Sequence, residues 1–474
     1  MTHAHIFWGL IWIGILILAA RMIKSRIKLL ERLYLPSSII AGLMALVLGP
    51  QVMGALSIGP AGGLIPASIL NVWRGLPGLL ISVVFAALFL GKPVPGLRAI
   101  WLKAGPQTAF GQTLAWGQYV VGITLGLLVL TPVFGMSPLA GALIEISFEG
   151  GHGTAAGMAA TFRDLGFPEG ADLALGLATI GLVGGVVLGT ILINWAVRRK
   201  IIDPVAGARR RKEVDGDTLE ELKELQWEQE QAAKPSDPLS IHLGLVGLAI
   251  GVGWLIKAAL LWLEHRTWGG ADGIVLIRYV PLFPLAMIGG VLVQIVADRT
   301  GRGEHINRRL MNRISGTALD FTIVAALGTL SLSAIGRNLG PFLLLGLAGI
   351  LWNLACLLWL APRIIPVHWF ERGIGDFGQS TGVTVTGLLL MRMADPLNKT
   401  GALESFGYKQ LLFEPIVGGG LFTAAAMPLI AQFGPVFVLT LTGGITLFWI
   451  VFGWLVFGRA SRRPQNCGLK NGHL

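Results

Sequence analysis

The chain of 474 residues is 53% hydrophobic and only 13% charged, about half the charged share of an average soluble domain, which is roughly 25%. That composition excludes a soluble globular protein and points to one that crosses a bilayer many times. A net charge of +11 would suit a nucleic-acid partner, but the basic residues sit beside apolar runs, where they set membrane orientation, so no nucleic acid is implied. The two cysteines, Cys356 and Cys467, are too far apart to suggest a disulfide framework or a metal site.

In chain order, the apolar run near 5–21 has no basic stretch before it and no small-residue cleavage site after it, which predicts a retained membrane helix rather than a removed leader. Further runs near 34–52, 75–91, 107–133, 171–197, 240–263, 279–297, 317–336, 341–361, 411–432 and 435–457 bring the predicted spans to eleven. Two other stretches, near 137–161 and 366–394, carry charge and a glycine-rich interruption midway. Polar, non-helical backbone at membrane depth survives only where protein or a watery cavity surrounds it, so both read as re-entrant hairpins.

Lys and Arg orient the set. Five lie between Arg21 and Arg32, three between Lys92 and Lys103, five between Asp298 and Arg313, and four in the tail from Arg459, while the alternate loops hold few. The positive-inside rule then places the N-terminus outside and the C-terminus in the cytoplasm. Residues 198–239, with nine basic and ten acidic side chains over 198–238, read as a solvated cytoplasmic linker.

The linker divides the chain into a membrane repeat over 1–197 and a second over 240–434, with an extra helix and a basic tail over 435–474. The segment Tyr34-Leu-Pro-Ser-Ser-Ile resembles Tyr279-Val-Pro-Leu-Phe-Pro, and Ser82-Val-Val-Phe-Ala-Ala-Leu resembles Phe321-Thr-Ile-Val-Ala-Ala-Leu. Each half then holds five spans and one hairpin, and an odd number of crossings inverts the second half. The expected fold is an all-α polytopic membrane protein made of two inverted five-helix halves, each with a re-entrant hairpin, plus one C-terminal helix.

Paired interruptions of this kind point to the binding site of a transporter. In the first, Gly150, Gly151 and Gly153 let the backbone turn, and Thr154 is placed to cap a helix running toward Ala160. In the second, Gly378 and Gln379 lie at the tip, with Ser380 or Thr381 as the corresponding cap. Two half-helix N-termini supply positive partial charge and free N–H donors for a carboxylate. Carbonyls near Gly150 and Gly375 are oxygen donors suited to Na⁺. The plainer reading takes the same residues as close-packing glycines and ordinary caps.

Glu149, Asp376, Asp320 and Glu414 are acids within or beside apolar stretches, where an ion is costly and needs a partner, so they are cation or proton candidates. His152 is a proton relay, a substrate contact or a partner for neighbouring backbone. Arg392 is a bidentate partner for a substrate carboxylate, or equally for Asp376 or Asp395. Gln118 and Asn353 occupy similar places before the two hairpins, where an amide either touches substrate or locks helices together. No nucleotide-binding loop, metal-spaced cluster or serine-nucleophile motif is present, so an enzyme is not expected and no cofactor is implied.

The Glu149-Gly-Gly-His-Gly-Thr hairpin, Pro36 with Ala41-Gly42, Gln118, the Gly181-Leu-Val-Gly-Gly run and the second hairpin from Gly373 with Thr384 together resemble the sodium/glutamate symporter family. The resemblance implies Na⁺-coupled uptake of L-glutamate across the cytoplasmic membrane by a homodimer whose hairpins move against a dimerising scaffold. It also implies a small hydroxyl at 149, glycine at 376 and a neutral polar residue at 392, where this chain has Glu, Asp and Arg. Three altered charges keep open a carrier of another carboxylate, coupled to Na⁺ or H⁺. A passive channel built on glycine-rich half-helices is a further alternative.

Overall fold

The computed structural model describes residues 3–27, 30, 35–56, 63–92, 97–202, 238–269, 273–396 and 398–458. Most of the expected linker, 203–237, and the basic tail from 459 lie outside the described residues. Every regular element among the described residues is helical. In chain order the main helices are α1 (His3–Arg26), α2 (Ser37–Leu48), α3 (Ala67–Trp73), α4 (Leu76–Ala87), α5 (Leu97–Leu125), α6 (Leu143–Phe148), α7 (Gly151–Gly157), α8 (Ala159–Asp164) and α9 (Gly170–Arg198). After the linker come α10 (Pro238–Arg266), α11 (Phe283–Arg299), α12 (Arg308–Gly328), α13 (Leu339–Ala355), α14 (Trp369–Ala394), α15 (Ala402–Phe413), α16 (Leu421–Phe433) and α17 (Pro435–Val456).

Among the described residues, eight helical segments are long and apolar enough to cross a membrane: His3–Arg26, Ser37–Gly54, Ala67–Ala87, Trp101–Phe134, Gly170–Arg198, Leu239–Arg266, Leu339–Ile364 and Pro435–Val456. Three of the eleven expected spans are not among them. The run at 279–297 yields α11, only 17 residues long, about 25 Å at 1.5 Å per residue. The run at 317–336 is divided between α12, which starts earlier, carries Arg308, Arg309, Arg313 and Asp320 and ends at Gly328, and a short separate helix, Leu332–Arg337. The run at 411–432 is no single helix: chain between α15 and α16 turns at Gly418 (φ +72°) and Gly419 (φ +100°) behind Pro415. Left-handed glycines and a proline end a helix whatever the hydropathy around them.

Glycine lets these helices approach closely. Gly253 of α10 lies against the backbone of Ala286, and Gly289 of α11 lies against the Ala249 carbonyl, so the two helices are packed backbone to backbone. Gly181, Gly185 and Gly189, four residues apart on one face of α9, lie against Thr381, Thr386 and Leu390 of α14. The Gly-Leu-Val-Gly-Gly run is thus a seat for the second glycine-rich segment. Phe148 of α6 also packs on Gly181, which brings the first glycine-rich segment to the same wall.

Candidate functional site

The first interruption lies between α6 and α7. The Glu149 and Gly150 amides both turn back to the Glu145 carbonyl, at 3.0 and 3.1 Å, and Gly151 takes φ +66°. That left-handed residue, not Thr154, sets the turn, so α7 begins with Gly151 and already contains Gly153 and Thr154. Thr154 is therefore not the helix cap that its sequence position suggested. Its Oγ1 is buried without a hydrogen-bond partner. Gly153 gives room to Ile81 and Leu319. His152 Nε2 lies 3.0 Å from Thr179 Oγ1. That hydroxyl spends its own proton on the Leu175 carbonyl, 3.1 Å away, so the imidazole N–H is the donor to it.

The second interruption lies later than expected. Backbone from Trp369 through Thr381 is helical, and the chain breaks at Gly382 (φ −149°, ψ 41°) and Val383 (φ 66°, ψ 168°). Ser380 and Thr381 therefore end a helical arm and do not cap the following one. A β-branched residue at positive φ is strained by about 1–3 kcal/mol and persists only where its surroundings enforce it. Gly375 and Gly378, expected at a turn, instead let the two arms of α14 pack: Gly375 faces Met391, Gly378 faces the Gly387 backbone, and the Gly375 carbonyl lies against Gly387.

Carbonyls in the last turn before a break lose their helical donors. Side chains supply replacements here. Gln118 Nε2 donates to the Ser380 carbonyl at 2.5 Å and to Asn353 Oδ1 at 3.2 Å. Asn353 Nδ2 donates to the same Ser380 carbonyl at 2.6 Å and to Thr381 Oγ1 at 3.1 Å. Of the two roles open to these amides, both serve as locks between α5, α13 and the end of the first arm.

The two breaks meet. Gly151 lies directly against Val383 Cγ1, and the Ser380 hydroxyl donates to Glu149 Oε1, leaving Oε2 buried and unpartnered. The chain between α15 and α16 forms a third face. The Gly418 amide donates to Glu145 Oε1 at 2.8 Å, the Thr423 hydroxyl donates to the same oxygen at 2.8 Å, and Tyr119 donates to Glu145 Oε2. A carboxylate with three donors is well held despite burial. Gly418 also lies near Glu149 Oε2, and Gly419 near Thr154 Oγ1.

Beside the second break, Lys409 of α15 is fully buried and donates to Asp376 Oδ1 and Gln379 Oε1, both at 2.7 Å. From Gln379 the hydrogen bonds continue to Gln410 at 3.2 Å, Thr384 at 3.2 Å and Glu414 at 3.3 Å. The contacts thus gather the breaks, Glu149, Asp376, Gln379, Ser380, Thr381, Gln118, Asn353 and Glu414 into one core. Asp320 is half-buried on α12, and Arg392 is exposed near the end of α14; neither joins this hydrogen-bonded core.

Sequence reasoning missed Glu145, Lys409 and the third break. Glu145 stands four residues before Glu149, on the same helix face, which is a usable signal. The third break had one too, in Pro415 followed by Gly418, Gly419 and Gly420. Lys409 had none, because its partner Asp376 is 33 residues away.

The model of the sodium/glutamate symporter family matches residues 80–353, more than half of the chain, taking in the first break and ending at Asn353. No curated protein matches the chain. A polytopic helical body, two helix breaks meeting in a buried polar core, and a match over this length together make the chain a member of the sodium/glutamate symporter family.

Proposed function

We propose that the chain is a secondary transporter that carries L-glutamate or a closely similar carboxylate into the cell together with Na⁺. The observation that carries the reading is the contact of Gly151 with Val383, which joins two helix interruptions in one buried polar core. The family match supports Na⁺ and glutamate as cargo. In this reading the substrate carboxylate meets free amides at the start of α7, around Gly151, His152 and Gly153. Na⁺ takes oxygen donors from Glu149 and from carbonyls near Gly150, with Thr154 Oγ1 as a neutral donor. Gln118, Asn353, Ser380 and Thr381 hold the second break in register against it.

The two halves are related as inverted repeats, and the hairpins close over the loaded site from opposite sides. The protein lies in the cytoplasmic membrane as a homodimer, with its N-terminus outside and its C-terminus inside. The test is uptake of labelled L-glutamate into proteoliposomes under an inward Na⁺ gradient, with K⁺ in its place as control. Na⁺-dependent accumulation abolished by unlabelled glutamate is the expected result; equal uptake in both salts would sink the proposal.

A second reading, coupling to H⁺ with another carboxylate as cargo, draws support from the buried charges. Among the described residues, Glu145, Glu149, Asp376 and Glu414 are all buried at this core, where the buried ammonium is that of Lys409. Accumulation driven by an imposed pH gradient without Na⁺ would select this reading.

A further inference from the structure

Asp376 was expected to face a cation from solution. The cation it faces belongs to the chain. Lys409 reaches the first arm of α14 from α15, and both its oxygen partners, Asp376 and Gln379, sit three residues apart on one face of that arm. The ammonium also lies 4.1 Å from the Phe413 ring centroid and 5.0 Å from that of Phe406. On the remaining side stands Gly111 of α5, where a Cβ would come within 2.8 Å of Nζ. Carboxylate oxygen, amide oxygen and two aromatic faces are all groups that attract a cation, and the aromatic faces favour an ammonium. They enclose this one completely. The Gln107 side chain lies beside the Asp376 carboxyl, and Asp376 Oδ2 and Gln107 Oε1 are both buried.

We propose that this cage is a monovalent-cation site whose occupant, the Lys409 ammonium, is tethered to the protein. The second break then keeps its carboxylate neutralised through the whole cycle without drawing an ion from solution. A dissolved coupling ion is then drawn to the first break, where Glu149 Oε2 has no partner, rather than to Asp376, whose Oδ1 already meets the ammonium. That consequence rests on the Na⁺-coupled reading above, whereas the cage itself rests on its geometry.

The cage is tested by thermal unfolding of the purified full-length chain in detergent, at equal ionic strength in N-methylglucamine, sodium or methylammonium chloride. Wild type is expected to ignore methylammonium. Lys409→Ala is expected to melt well below wild type in N-methylglucamine and to regain at least half of the loss, saturably, in methylammonium. It is also expected to respond to Na⁺ more strongly than wild type, since a ligand that binds only the folded state raises its stability. The double variant Asp376→Asn with Lys409→Met, which carries neither charge, is expected to lose the methylammonium response.

The proposal is overturned if Lys409→Ala gains nothing from methylammonium, or if it cannot be obtained folded in any of the three salts. A double variant that still responds would overturn it as well. None of these readings uses transport, so failed glutamate uptake would sink the proposed function and leave this result standing.

Discussion

The two helix breaks are alike in sequence colour and unlike in construction. The first turns on a left-handed glycine, Gly151, and leaves the carboxylate beside it with an unpartnered oxygen. The second turns on Val383, a residue ill suited to its backbone angles, and its nearby carboxylate, which also has one unpartnered oxygen, is already paired through the other with the Lys409 ammonium. Around the second, Gln118, Asn353 and the glycines of α9 grip the end of the first arm. A break that is relaxed and whose carboxylate touches no side-chain cation among the described residues is suited to take up a ligand. One that is strained and clamped is suited to serve as the surface against which the ligand is held.

The largest effect should come from the carboxylates, compared directly. Asp376→Asn leaves the fully buried Lys409 ammonium without its counter-charge, and removing one partner of a buried pair costs about 3–5 kcal/mol. Glu149→Gln removes a charge whose hydrogen-bond partner among the described residues is the Ser380 hydroxyl, for about 1 kcal/mol or less of stability, but should abolish Na⁺ dependence. Thermal unfolding of the two variants, set beside their Na⁺-driven uptake, checks this. Equal destabilisation would mean that the two breaks do not differ as described.

Next in size is the contact between the breaks. Gly151→Ala forces an L-residue into the left-handed region, costing about 1–2 kcal/mol, and drives a methyl group into Val383. Val383→Gly relieves both the clash and the local strain. The double variant should therefore recover part of what Gly151→Ala loses, and a double-mutant cycle on unfolding temperature measures it. Strict additivity would show that the two residues do not meet.

The amide locks should matter slightly less. Gln118→Ala and Asn353→Ala each remove one donor from the shared Ser380 carbonyl, while the other remains. Each alone should cost about 1 kcal/mol, and the pair together more than the sum, since the carbonyl is then buried without a partner at about 1–3 kcal/mol. Unfolding temperatures of the two single variants and the double variant decide it.

How much of this was legible in the sequence follows from what each feature depends on. Apolar runs broken by glycine and charge are a local signal, and both interruptions were found from it. Their turning points were not. At the first, the turn falls on Gly151 rather than before Thr154, because one left-handed glycine ends the preceding helix and starts the next. At the second, Gly375 and Gly378 read as turn residues but serve the contact between the two arms. The turn itself falls on Val383, where no propensity would place it and only the surrounding packing can hold it. Lys409 shows the same limit, since a lone lysine in a helix does not announce a carboxylate on another helix. Of the eleven expected spans, 411–432 is not one helix, because hydropathy does not see the left-handed glycines that split it.

The smallest effect belongs to Arg392. Its place in the second hairpin made it a candidate partner for a substrate carboxylate, yet its side chain is exposed and joins none of the hydrogen bonds that bind the breaks together. Substitution of an exposed side chain away from special features changes stability by about 0.5 kcal/mol or less. Arg392→Ala should therefore leave both the unfolding temperature and the KM for uptake unchanged, while Glu149→Gln alters ion dependence. A tenfold rise in KM with unchanged stability would reverse the comparison between the breaks. The far arm of α14 would then face the cargo in another state of the cycle, and the second break would hold the substrate's carboxylate instead of backing the first.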